Sequence, residues 1–216
     1  MLSKYEKNPI LRGLIQLIPL GIGSGIDVAL SVSLGNIRQE RMRTFFDELG
    51  NCSIELSPDL LDSEDFLHCY FSTVKAAINT RRRDKIKMFA RLLKSTIQFN
   101  SFSKTDEYEE YLQILDELSY RELMILIKLE SFETQYVKKE NENDLQKANR
   151  FWDQFRVELV EELEVQEDEI DAILTRLNRT GCYESFVGAY WSYTGGKGKT
   201  TPTFKSLMRH ISEEYK

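Results

Sequence analysis

Histidine is nearly absent from this chain: His68 and His210 are the only two in 216 residues. His68 is followed directly by Cys69, and sequence neighbours lack the spacing that lets two side chains reach one metal ion. No C-x-x-C, H-x-x-x-H or G-x-S-x-G pattern occurs. Acidic residues are plentiful, but they fall on helical stretches rather than as an isolated pair beside a pocket. No enzymatic activity, cofactor or metal is therefore expected. Cysteine is also scarce, and Cys52, Cys69 and Cys182 are too widely spaced to suggest a disulfide framework. With three thiols, one is left over from any pairing, and no secretory signal with a cleavage site is visible. A reducing cytoplasm is the expected compartment. Excess positive charge is missing too. A net charge of -6 argues against a general nucleic-acid binder, although a local basic face remains open.

Proline is held to four residues, while 41% of the chain is hydrophobic and 30% charged. That balance predicts a helix-rich globular protein with a real core, mainly α in class. Three segments are expected: 1–50, 51–137 and 138–216. The polar run "KKENEND" at 138–144 is the expected linker, and 119 is an alternative start for the last module.

The first segment is unlike the rest. From Ile10 to Ile37 only Arg12 and Asp27 are charged. The run is long enough to cross a bilayer, yet Pro19, Gly21, Gly23 and Gly25 interrupt it, and Asp27 is costly near a bilayer centre. It reads as a short helix up to Ile18, an elbow, and a second helix capped by Ser24, starting near Ile26 and stopping at Gly50. Three readings stay open for it: a hairpin packed on the helical body, a docked segment that later inserts into a membrane or forms an oligomer, and a permanent anchor.

The middle is helical. Ser57-Pro58 predicts one helix through Ile78, with Cys69 on its apolar side. In the next helix Ile86, Phe89, Leu93 and Ile97 form an inner stripe. Arg83, Lys87, Arg91 and Lys94 form an outer basic stripe, a candidate surface for phosphate, anionic lipid or an acidic protein. Its bland alternative is a solvated face, or one paired with the acidic C-terminal half. Thr105 opens a further helix. Ser119 with Glu122 three residues on is a capping box, and "LQKANRFWDQFRVELVEEL" predicts a single helix with Trp152, Phe155 and Leu159 inward.

Near the C-terminus "TGGKGKTT", residues 194–201, ends in the G-K-[ST] of a phosphate loop. The full motif needs a further glycine where Tyr193 stands, so a nucleotide site is not expected. A helix with Ile170, Ile173, Leu174 and Leu177 apolar and stopped at Gly181 precedes an aromatic stretch, "CYESFVGAYWSY", that predicts one or two strands. The glycine-rich loop and a helix after Thr201-Pro202 follow. This order, over roughly residues 119–214, resembles a winged-helix module with a small β-hairpin. In such modules the recognition helix meets base edges with its N-terminal residues. Here those are Gln166, Glu167, Asp168, Glu169 and Asp171, and four acids oppose a polyanion. Arg176, Arg179, Lys197 and Lys199 have the right sign to touch phosphate. Nucleic acid is thus disfavoured, and a protein partner or homo-oligomer is the expected partner.

The whole chain also resembles a loosely defined group of small bacterial helical proteins. The matching residues are Ile18, Pro19, Gly23 and Asp27; Arg41 and Phe45; Lys85, Phe89, Ala90, Leu92 and Leu93; and Leu115, Leu118, Ser119, Glu122, Ile125 and Leu126. The resemblance implies an accessory or effector role near mobile-element or phage-defence loci and carries over no catalytic residue. The resulting expectation is a non-enzymatic bacterial effector or accessory protein acting by partner binding, with membrane insertion of the N-terminal segment as one route. The alternative is a winged-helix DNA-binding regulator.

Overall fold

A computed structural model of the chain describes residues 28–51, 58–98, 105–187 and 196–212. Pro19, Gly21, Gly23, Gly25, Asp27, the Ser24 and Ser57 caps, Cys52 and the hairpin tip at 188–195 lie outside them. The described residues are mainly helical, with a two-stranded antiparallel sheet near the C-terminus. The chain divides into two units, residues 1–116 with 210–216, and residues 117–209. The division therefore falls beside Ser119 rather than in the 138–144 run.

The first unit contains α1 (Val28–Leu49), α2 (Pro58–Leu61), α3 (Glu64–Asn79), α4 (Arg83–Gln98) and α5 (Thr105–Glu117) up to Asp116. The helix expected from Ser57 to Ile78 is broken in two. Ser63 is extended, and its hydroxyl accepts from the Phe66 amide at 3.4 Å, so it caps a fresh helix. The core is built where α1, α3 and α4 meet: Phe45, Phe46 and Leu49 pack with Phe66, Tyr70, Val74, Ile86, Phe89 and Leu93, all buried. Burying side chains of this size contributes about 2 kcal/mol each before the entropy of ordering is counted. Tyr108 of α5 brings its hydroxyl to the Thr73 hydroxyl, which also donates to the Cys69 carbonyl at 2.6 Å. The last two residues of the C-terminal helix complete this unit. The His210 ring hydrogen-bonds Ser95 at 2.8 Å and lies against Tyr111, and Ile211 is fully buried.

The second unit runs α6 (Tyr120–Gln135), α7 (Asp144–Asn149), α8 (Trp152–Leu163), a 3-10 turn at Glu167–Glu169, α9 (Ile170–Asn178), β1 (Tyr183–Ser185), β2 (Gly198–Thr200) and α10 (Pro202–Ile211) through Arg209. Ser119 and Glu122 form the expected capping box. Asn143 and Gln146 form a second one, which fixes where α7 starts. The single helix expected from Leu145 to Leu163 is again two, because the chain breaks helical geometry at Phe151 (φ -127°) before α8. That break turns Phe151 inward with Phe132, Trp152 and Phe155. Phe132 stacks on Phe151 at 5.6 Å and meets Phe155 edge-on at 5.9 Å. Glu164, left-handed at φ 53°, ends α8, and Gly181 at φ +71° follows α9. β1 and β2 pair Tyr183 with Thr200, Glu184 with Lys199, and Ser185 with Gly198. The 138–143 stretch is a turn inside this unit, held by Lys138 on Asp144 and Arg150 on Glu142, both at 2.9 Å.

Candidate functional site

The glycine-lysine run lies partly in β2 rather than wholly in a loop. Gly198 belongs there because a Cβ would strike the Glu184 carbonyl oxygen and the end of the Tyr183 ring. The lysine and hydroxyl that a phosphate loop would aim at a nucleotide both meet carboxylates instead. Lys199 Nζ sits 2.9 Å from Asp144 and 3.7 Å from Glu184. The Thr200 amide and hydroxyl donate to the two carboxylate oxygens of Glu133, at 2.7 and 2.6 Å. Lys197 donates to the Asn149 side chain at 2.7 Å. The hairpin is thus riveted to α6 and α7 by its own polar side chains.

Hydrogen bonds from Lys138 and then Lys199 pull the Asp144 carboxyl from 3.8 to about 2. A depressed carboxyl stabilises the fold above its unfolded value and loses that contribution as pH falls through the folded one. Asp144→Asn is therefore expected to flatten the acid limb of stability between pH 3.8 and about 2, seen by circular dichroism. The side chain is 43% exposed, so screening keeps the effect below about 1 kcal/mol. An unchanged acid limb would show that these ion pairs do not form.

The other hairpin-side candidates divide. Only Asp171 of the acids expected at the head of the recognition helix lies in α9, and Arg156 holds it at 2.7 Å. Glu167, Asp168 and Glu169 form the 3-10 turn before it, where Arg121 stands 3.8 Å from Glu169. Arg176 donates to buried Glu122 at 2.7 Å. Burial raises the Glu122 carboxyl, but the Ser119 hydroxyl and amide and the Arg176 guanidinium outweigh it and hold it below the usual range. Arg179 is exposed just past the end of that helix, after exposed Thr175 and Asn178.

The basic stripe of α4 is not one surface. Arg83 is exposed and pairs with Glu40 of α1, and Lys87 reaches Asp84 at 3.8 Å. Arg91 and Lys94 turn inward. Arg91 binds Glu48 at 2.6 Å with only 15% of its side chain exposed, and Lys94 is buried. The outer stripe expected from the sequence fails because α1 covers the side of α4 that periodicity leaves outside, and the second half of α4 is buried nearly all round.

One group of exposed arginines gathers at the root of α1. Every residue from Gly35 to Glu40 is exposed, and nothing lies within 4 Å of where a Gly35 Cβ would stand. Just beyond them, the Arg41 guanidinium donates to the Ile78 carbonyl at 2.6 Å. Arg41, Arg81, Arg83, Glu40 and Ile37 line a cleft of about 340 Å³ there. Exposed Arg38 lies one turn earlier on α1, and Arg82 beside Arg81. Sequence reasoning placed Arg83 in the α4 stripe; only the fold gathers it with Arg41 and Arg81. No known protein family, curated protein or solved structure matches the chain.

His68 pairs with Glu109 at 2.6 Å on the surface of the first unit. Among the described residues no group of three or more potential ligands could hold a metal ion. Cys69 and Cys182 are buried free thiols. Burial, then the Glu109 and Asp65 charges, pushes the Cys69 thiol up to about 11, which leaves it protonated and unreactive at neutral pH. Among the described residues no helix is long and apolar enough to cross a membrane.

Proposed function

We propose that this chain is a non-enzymatic accessory or effector protein that meets an anionic membrane surface through its N-terminal segment. In this reading the second unit serves for recognition of a protein partner. One observation carries the proposal: α1 leaves the first unit uncovered from Gly35 to Glu40, directly after an apolar run and beside clustered arginines. An apolar segment followed by a basic collar is the arrangement that anionic headgroups favour, with each arginine contributing about 1 kcal/mol near the surface. Glu40 and Asp84 offset part of that charge.

Flotation with vesicles tests it. The chain is expected to float with phosphatidylglycerol-containing vesicles, less with phosphatidylcholine alone, and less as salt rises. Arg38→Gln with Arg81→Gln touches only exposed side chains and is expected to weaken binding by about tenfold or more. Removing residues 1–38 is expected to abolish it. Equal flotation of all three proteins overturns the reading.

A second reading draws on the order α8, α9, β1, β2, which is that of a winged-helix module, with Thr175 and Asn178 exposed on α9 and Arg179 exposed at its end. Against it stand the internal partners of Lys197, Lys199 and Arg176. Duplex binding that weakens in Arg179→Gln, without vesicle binding, would favour this regulator over the membrane protein.

A further inference from the structure

The second unit holds a cleft of about 500 Å³ between α6, α7, the hairpin and the start of α10. Its size falls within the range of small-molecule sites. Half-buried Phe186 gives it an aromatic side, where Phe151 also lines it although only 2% exposed, while Lys147, Lys205 and Arg209 bring positive charge to it. Lys205 and Arg209 are four residues apart on α10 and so share one helix face. Lys147 is next to them, because its ammonium donates to the Glu133 backbone carbonyl at 2.6 Å while Lys205 stands 3.5 Å from the Glu133 carboxylate.

The acids of the cleft are already engaged. Glu133 is only 10% exposed and spends its oxygens on the Thr200 amide and hydroxyl. Asp144 takes two lysines, Lys138 and Lys199. Lys147 and Arg209 bond only to neutral groups here, a backbone carbonyl and the Ser206 hydroxyl respectively. Lys147, Lys205 and Arg209 therefore bring three cations to a partly apolar hollow that Glu133, Asp144 and Glu184 also line, and the first two of these carboxylates are already hydrogen-bonded. Cations spread on a convex surface are normally satisfied by water. In a concave site with an aromatic wall they can instead converge on one anionic group while the wall covers the body that carries it.

We infer that this cleft binds a small organic anion, a phosphate or carboxylate carried on a flat apolar ring, with Lys147, Lys205 and Arg209 on the anionic group and Phe186 against the ring. This site stands apart from the membrane reading, which concerns the first unit. It also gives the glycine-lysine run a place: β2 closes one side of the cleft and hands its own lysine to Asp144, leaving the other cations free of that acid.

Isothermal titration of the full chain with phenyl phosphate, benzoate and inorganic phosphate tests the assignment. Phenyl phosphate and benzoate arms separate the two anion classes, and inorganic phosphate isolates the charge. At least one ring-bearing anion is expected to bind about tenfold or more tightly than inorganic phosphate. Lys147→Gln with Arg209→Gln is expected to weaken that binding by about tenfold or more, because each charge-assisted bond is worth more than a neutral one. Both side chains are at least partly exposed, and Lys205→Gln alone gives a second, milder variant that should lie in between. Arg38→Gln, in the first unit, should bind as the unaltered chain does. Inorganic phosphate binding as tightly as both ring-bearing anions, or a double variant binding as well as the unaltered chain, overturns the proposal. So does the absence of heat from every probe at about 5 mM, the weak limit for a specific site.

Discussion

Gly198→Ala is expected to destabilise the second unit by about 3 kcal/mol, among the larger effects of a single methyl group. The new Cβ would run into the Glu184 backbone oxygen, which cannot swing aside without breaking the strand pairing. It would also meet the Tyr183 ring, which is 2% exposed and has nowhere to go. Urea unfolding followed by tryptophan fluorescence reads the loss, since Trp152 is buried in the aromatic cluster of the same unit. Gly35→Ala supplies the contrast. It sits within an exposed stretch of helix with nothing within 4 Å, so alanine is expected to stabilise the helix by up to about 1 kcal/mol. If both alanine variants unfolded at the same urea concentration, Gly198 would not be in the strand described.

Glu48→Ala is expected to cost the first unit about 3 kcal/mol, while Glu40→Ala costs less than about 1 kcal/mol. Each glutamate lies on α1 and meets an arginine of α4, and the two pairs differ mainly in water. The Arg91–Glu48 pair is 15% and 13% exposed, so removing the acid takes this carboxylate from a guanidinium in low dielectric, where the Ile211 carbonyl it also donates to is neutral. The Arg83–Glu40 pair is 71% and 58% exposed, and solvent takes over the lost interaction. Thermal unfolding of the two variants side by side checks this. Equal losses would mean that α1 does not cover Arg91.

Those two arginines also show where the sequence can be read and where it cannot. Ser119 with Glu122 is a local device, closed within four residues, and it can be read directly. The apolar positions of α9 and the glycine that follows it are local for the same reason. Arg83 and Arg91 look alike by helical phase, because periodicity divides a helix into inside and outside. It carries no information about a third helix that covers the outside. The two helices that proved to be four are a related case. Ser63 and Phe151 interrupt patterns whose apolar spacing continues on either side, so the rhythm conceals the break. Asn143 and Gln146 were a capping signal in the sequence, but the polar run around them reads as a linker. The arginine cleft and the lysine-lined hollow have no linear signature at all, since each gathers residues from distant turns.

The last two residues of α10 belong to the first unit, so that unit is assembled from stretches far apart in sequence. A ribosome makes α1 to α5 well before Ile211, which is fully buried in the same unit. Synthesis of residues 117–211 takes on the order of ten seconds. For that interval α1 to α5 are already made while their unit still lacks the buried Ile211 side chain. A chaperone has that long to act on the unit before that side chain arrives.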